Sequence, residues 1–273
     1  VAANPSICQL AGSSTRTITI NNVPSVTASP NGRCGAGTVT LGATSSSGTI
    51  NWYANSTGGT SIGTGTSFTT PNISADTTYW IDATDNGCTT TTRTSVLASV
   101  GSFPSVTTSP NARCGTGTVI LGATASSGTI NWYAASTGGS SLSTGTSFTT
   151  PSISSTTTYW VDATNNGCTS PTRTSVLATI NPLPTITSTT PGSRCGTGTV
   201  TLGATSSSGI INWYASSTGG SSLGTGTSFT TPSISSTTTY WVEAVDGSCI
   251  SSTRTSVEAS VVSSAPLPTV APV

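Results

Sequence analysis

The sequence predicts an all-β chain, a series of small antiparallel β-sandwich domains built from one repeated unit. Three observations predict it. The chain repeats itself: Arg113-Cys114-Gly115-Thr116-Gly117-Thr118-Val119-Ile120-Leu121-Gly122-Ala123-Thr124, then Ile130-Asn131-Trp132-Tyr133, Thr158-Tyr159-Trp160-Val161-Asp162-Ala163-Thr164 and Asn166-Gly167-Cys168, recur from Arg33 to Cys88 and from Arg194 to Cys249. Alternation at period two dominates each copy, and no helical period of useful length is present. Turn chemistry (Ser-Ser-Gly, Ser-Thr-Gly-Gly, Asn-Asn-Gly) separates the alternating runs. Each copy spans 54 positions between its two cysteines, and the first cysteines stand 80 and then 81 positions apart. That period is too long for a solenoid repeat and suits a small domain.

In the middle unit the pattern places strands near 104–109, 117–124, 128–134, 146–150, 157–164 and 172–180. Pro104, Pro151 and Pro184 fall at strand edges, where a missing N–H is tolerated. Strand 128–134 puts Ile130 and Trp132 on one face, with Asn131 and Tyr133 opposite. Strand 157–164 puts Tyr159, Val161 and Ala163 on the core face and turns Trp160 outward beside Asp162. Asn166-Gly167 then reads as a hairpin turn.

The units fall at 24–103, 104–183 and 184–262. Residues 1–23 read as the tail of a preceding unit, because Thr15-Arg16-Thr17 matches Thr92-Arg93-Thr94 and Cys8 matches Cys88. Residues 263–273 read as the start of a following one, because Pro266-Leu267-Pro268 matches Pro182-Leu183-Pro184. Both ends therefore read as cut from something longer. The linkers, Val100 to Pro104 and Ile180 to Pro184, are short and proline-containing, so they are expected to act as semi-rigid joints.

Composition narrows the function. Charged residues make up 5% of the chain, against about 25% in an ordinary globular domain. There is no Lys, His or Met, and seven Arg balance seven acidic residues. Such a surface has little to neutralise a phosphate backbone, so no nucleic-acid partner is expected. Without His or Lys the usual proton-transfer and Schiff-base residues are missing, so no catalytic residues and no cofactor are expected. The acidic pair Asp82 and Asp85, matched only in part by Asp162 with Asn165 and by Glu243 with Asp246, offers too few carboxylates for calcium, so no metal site is expected. No apolar run approaches the ~20 residues of a membrane helix, so no membrane insertion is expected. Seven cysteines at repeated positions suit an oxidising compartment, and disulfides would offset the small core of a unit of this size. A chain opening on Val1 with no signal peptide reads as a processed or excerpted piece of a secreted protein.

The pattern R-C-G-x-G-T-V-x-L-G-A-T, I-N-W-Y, T-T-T-Y-W-V-x-A, N-G-C-T and R-T-S-V resembles the immunoglobulin-like repeats of large Bacteroidetes cell-surface proteins, gliding adhesins and surface filaments among them. The resemblance covers almost the whole chain. It implies tandem immunoglobulin-like sandwiches in an elongated rod, located outside the cell at its surface. In that topology the strands carrying Tyr133 and Trp160 are neighbours. Tyr53 with Trp80, Tyr133 with Trp160 and Tyr214 with Trp241 could then form one repeated contact surface, for glycan stacking or lateral packing; the simpler reading is that loops cover them and they stabilise the sheet.

Two disulfide schemes remain open. One pairs Cys34 with Cys88, Cys114 with Cys168 and Cys195 with Cys249 inside each unit. In immunoglobulin topology, however, those two loops lie at opposite poles, roughly 20 Å apart for strands of ~6 residues. Pairing between neighbours would join Cys34 to Cys168 and Cys114 to Cys249. In either scheme Cys8 needs a partner outside this sequence.

Asn55-Ser56-Thr57 and Asn72-Ile73-Ser74 fit the N-glycosylation pattern, a match that chance also produces in a chain this rich in Asn, Ser and Thr. Asp76-Thr77-Thr78 resembles the O-glycosylation motif of Bacteroidetes secreted proteins, with Thr77 as acceptor. The expected function is the structural shaft of a long extracellular filament or adhesin, acting by reach and many weak contacts. Its expected partners are neighbouring repeats or copies of the same chain, and surface polysaccharide. The alternatives are a carbohydrate-binding or spacer array in a secreted polysaccharide-degrading enzyme, and assembly of separate chains by strand exchange.

Overall fold

The computed structural model describes residues 21–263, and every regular element among them is a β-strand. Cys8, residues 1–20 of the expected leading tail, and the expected following unit from residue 264 lie outside the described residues. The chain divides into two units. Among the described residues, one holds 21–103 together with Asn166–Cys168, and the other holds Pro104–Asn165 and 169–263.

The first repeat contains β1 (Val26–Ser29), β2 (Asn31–Cys34), β3 (Thr40–Ser45), β4 (Thr49–Tyr53), β5 (Gly63–Thr64), β6 (Ser67–Thr69), β7 (Thr77–Asp85), β8 (Cys88–Thr89) and β9 (Thr94–Gly101). One sheet has the order β1-β3-β6 and the other β2-β9-β7-β4-β5, with β8 folded back on β7. All pairings are antiparallel except β2 with β9, which is parallel.

The second repeat follows the same plan with β10 (Val106–Ser109), β11 (Asn111–Cys114), β12 (Ile120–Ala125), β13 (Thr129–Tyr133), β14 (Ser143–Thr144), β15 (Ser147–Thr149), β16 (Thr157–Asn165), β17 (Cys168–Thr169) and β18 (Thr174–Asn181). The third has β19 (Ile186–Thr190), β20 (Gly192–Cys195), β21 (Thr201–Ser206), β22 (Ile210–Tyr214), β23 (Gly224–Thr225), β24 (Ser228–Thr230), β25 (Thr238–Asp246), β26 (Cys249–Ile250) and β27 (Thr255–Val262).

One proline per repeat explains how the chain changes sheets. Pro30, Pro110 and Pro191 each stand between the first two strands of their repeat. Proline has no N–H to give the first ladder, so pairing breaks there. The strand before it pairs in the small sheet, and the strand after it crosses to the large one. The alternation pattern ends its first strand at 109 and does not reveal the second piece, Asn111–Cys114, which carries the cysteine. The next strand begins at Ile120 rather than at 117. Gly117 makes only an isolated bridge to Ile153, through paired hydrogen bonds of 3.0 Å.

The alternation reads correctly onto the core. Tyr159, Val161, Ala163, Ile130 and Trp132 are all buried, and Trp132 has no exposed surface. Its indole stacks on Phe148 with centroids 5.4 Å apart, and Phe148 meets Tyr159 edge-on at 5.2 Å. The Trp132 Nε1–H donates to the Gly145 carbonyl at 2.7 Å, so burying the polar edge of the ring leaves no donor unpaired. Trp52 and Trp213 repeat the arrangement on Gly65 and Gly226.

Candidate functional site

Two features recur where the sequence put its candidate residues. The first is a cysteine at each of two places in the repeat. Cys34, Cys114 and Cys195 end β2, β11 and β20, whose parallel pairing sets them beside Gly101, Asn181 and Val262. Cys88, Cys168 and Cys249 start the short strand after the turn that follows β7, β16 and β25. Asn86 and Asn166 take a left-handed conformation in that turn, with φ of 47° at both, which Asn tolerates better than most side chains.

Pairing within a repeat is not what forms. The third repeat shows why. Cys195 lies beside Val262, at the last residue of β27. Cys249 lies past the other end, because β25 runs antiparallel to β27 and meets its first residue, Thr255, at Val242. Eight residues of extended strand separate the two ends, roughly 23 Å at 3.3 Å per residue, and a disulfide tolerates less than about 7 Å between Cα atoms. The bonds formed are Cys34–Cys168, with Cα atoms 5.5 Å apart, and Cys114–Cys249, at 5.4 Å. Each joins the first cysteine of one repeat to the second cysteine of the next, across 134 and 135 positions of chain. Among the described residues Cys88 and Cys195 are free thiols, the first half-buried and the second exposed.

The second feature is an arginine clasp, which the sequence pattern does not announce. Arg93, Arg173 and Arg254 each follow an acid by 11 positions, and Nε lies 3.4, 3.4 and 3.1 Å from Asp82, Asp162 and Glu243. In the second repeat Arg173 Nη1 also donates to the carbonyls of Ala135 at 2.8 Å and Gly138 at 2.7 Å, tying the loop after β13 to the residue just before β18. The same guanidinium lies 3.2 Å from the centroid of the Tyr133 ring. Asn131 and the Tyr133 hydroxyl donate to the second Asp162 oxygen at 2.9 and 3.4 Å. This buried carboxylate is therefore fully engaged. Burial first, then the charge and hydrogen bond of Asp162, push the Tyr133 phenol above its ordinary value, and Arg173 draws it part of the way back.

These contacts change the reading of the aromatic pairs. Tyr133 does stand opposite Trp160, as Tyr53 does opposite Trp80 and Tyr214 opposite Trp241. The arginine covers one face of each tyrosine ring, however, and Tyr214 is only 8% exposed. The pairs are therefore not a bare double-ring platform. Trp80, Trp160 and Trp241 remain half-buried, and Trp160 lines a groove with Thr137, Thr172 and Arg173. A fixed acid-to-Arg spacing of 11 positions in every copy, in a chain with so few charges, is the signal available in the sequence.

Asn55 and Asn72 are exposed. Thr77 is half-buried and donates its hydroxyl to the Ala75 carbonyl at 3.0 Å, while the neighbouring Asp76 carboxylate accepts the Val100 N–H at 2.7 Å. Among the described residues no three His, Cys, Asp or Glu side chains gather, and no helix is long and apolar enough to cross a membrane.

One domain family, described as "Ig-like domain CHU_C associated", matches residues 22–101, 102–182 and 183–262. No curated protein matches the chain. Similar solved structures include the I-band fragment I67–I69 of titin, 14% identical over 90% of this chain and 100% of that one with a TM-score of 0.48. Others are the three N-terminal domains of the bacteriophage RB49 highly immunogenic outer capsid protein (12%, 88% and 99%, TM-score 0.42) and the fibronectin(III)-like modules of Clostridium thermocellum CbhA (16%, 58% and 95%, TM-score 0.39).

Proposed function

The chain belongs to the CHU_C-associated family of Ig-like domains, a Bacteroidetes-associated family, in three tandem copies, and from that premise we propose that it is shaft material of an extracellular bacterial surface filament or adhesin. The observation that carries this reading is the pairing of cysteines. Each formed bond ties one repeat to the next rather than closing a loop within one. A spacer of independent beads has no use for such bonds. A shaft that bears tension does, because a covalent link keeps neighbours joined when the linker is stretched. Disulfides of this kind belong outside the cytoplasm. Repeated, weakly charged surfaces add contacts by effective concentration rather than by one strong site.

The test is immunogold electron microscopy of intact, unpermeabilised source cells with an antibody against one repeat, together with the mass of the antigen. Label spaced along surface fibres, on a chain built of this repeat, is the expected result. Label confined to a secreted soluble protein carrying a catalytic domain would move the function to that domain and make these repeats its accessory array.

A further inference from the structure

Cys88 and Cys195 are the two halves of one more bond of the same kind. Cys195 has the setting that Cys34 and Cys114 have in their bonded state, at the end of a strand paired in parallel with the last strand of its repeat. Cys88 has the setting of Cys168, after a turn whose Asn has the same φ of 47°. In the two bonds that form, the first kind of cysteine always meets the second kind from the following repeat. Like never meets like. The two thiols that lack partners among the described residues are one of each kind, with Cys195 in the third repeat and Cys88 in the first.

We infer that Cys195 is a docking site for another repeat of this kind, which presents its second cysteine, and that Cys88 is the matching donor toward a repeat on the other side. The partner chemistry is thus specified: an Asn-Gly or equivalent turn followed by cysteine, as at Asn86-Gly87-Cys88. A second copy of this chain carries that turn, and so would a further repeat on the same polypeptide. The inference rests on the repeat-to-repeat reading above and adds a direction to it, because a cysteine of the one kind bonds only a cysteine of the other.

Bond formation takes two steps of thiol–disulfide exchange with glutathione disulfide as oxidant. The Cys195 thiolate attacks one glutathione sulfur, breaks the S–S bond and releases glutathione thiolate. The Cys88 thiolate then attacks the Cys195 sulfur of the mixed disulfide and releases a second glutathione thiolate. Two thiols lose two protons and two electrons, and one glutathione disulfide becomes two glutathione molecules.

The experiment uses two versions of the whole chain, both with Cys8→Ser. One also carries Cys88→Ser and keeps Cys195; the other carries Cys195→Ser and keeps Cys88. Non-reducing peptide maps first establish that both retain Cys34–Cys168 and Cys114–Cys249; loss of those bonds in both would sink the repeat-to-repeat reading itself. The two are then mixed in a glutathione redox buffer. The expected product is a disulfide heterodimer, at least tenfold more abundant than either homodimer and linked Cys195 to Cys88. Homodimers in equal amount, or thiols that end capped by glutathione with no dimer, would overturn the inference while leaving the internal bonds intact. The source of the natural partner follows from the native protein. A ladder that collapses to one chain on reduction marks separate copies, and an unchanged mass marks repeats on one polypeptide.

Discussion

The Arg173 guanidinium lies 3.2 Å from the centroid of the Tyr133 ring while its Nε donates to Asp162 at 3.4 Å. Both charged side chains are largely buried, at 14% and 7% exposure. One arginine thus satisfies a buried carboxylate, two loop carbonyls and a ring face at once. Removing it leaves the carboxylate without its counter-charge. Arg173→Ala should destabilise the second repeat by about 3 kcal/mol, and Asp162→Asn added to it should recover part of that loss. Urea denaturation midpoints of the single and double variants check this. An additive double loss would mean that the pair is not coupled.

The two tryptophans of a repeat should behave differently. Trp132 is fully buried against Phe148, whereas Trp160 is half-buried beside a groove. Trp132→Ala should cost roughly 3–5 kcal/mol, and Trp160→Ser about 1 kcal/mol. Thermal unfolding followed by circular dichroism separates them. Equal losses would place Trp160 in the core.

Alkali should destabilise the chain. All six tyrosine phenols are raised above their ordinary value of 10.0, by burial first in every case. Below about pH 10 the folded and unfolded chains both keep these protons, and stability does not depend on them. Above it the unfolded chain ionises first, so stability falls as pH rises toward the folded values. Tyrosinate absorbance should therefore titrate at higher pH in the folded chain than in urea. Coincident curves would contradict the burial of Tyr79, Tyr159 and Tyr240.

Much of the fold was legible because the repeat compares the sequence with itself. The buried Ile130, Trp132, Tyr159, Val161 and Ala163 follow from period two alone. The strand Asn111–Cys114 was not legible. It is four residues long, follows Pro110 and shows no apolar alternation. The clasp was hidden for another reason. Arg173 draws its partners from Tyr133, Ala135, Gly138 and Asp162, and only the fold brings these positions together. The cysteines lay between the two cases. Their spacing allowed either pairing, and the choice came from which end of the last strand each one occupies.

The pairing itself is tested most directly by tryptic digestion of the unreduced protein. The chain has no lysine, and arginines stand at 16, 33, 93, 113, 173, 194 and 254, so cleavage releases peptides 34–93, 114–173 and 195–254, each holding both cysteines of one repeat. Cys34–Cys168 and Cys114–Cys249 would hold all three together as one species that separates only on reduction. Three separate peptides, each closed by its own internal disulfide, would contradict the repeat-to-repeat linkage and the covalent shaft built on it.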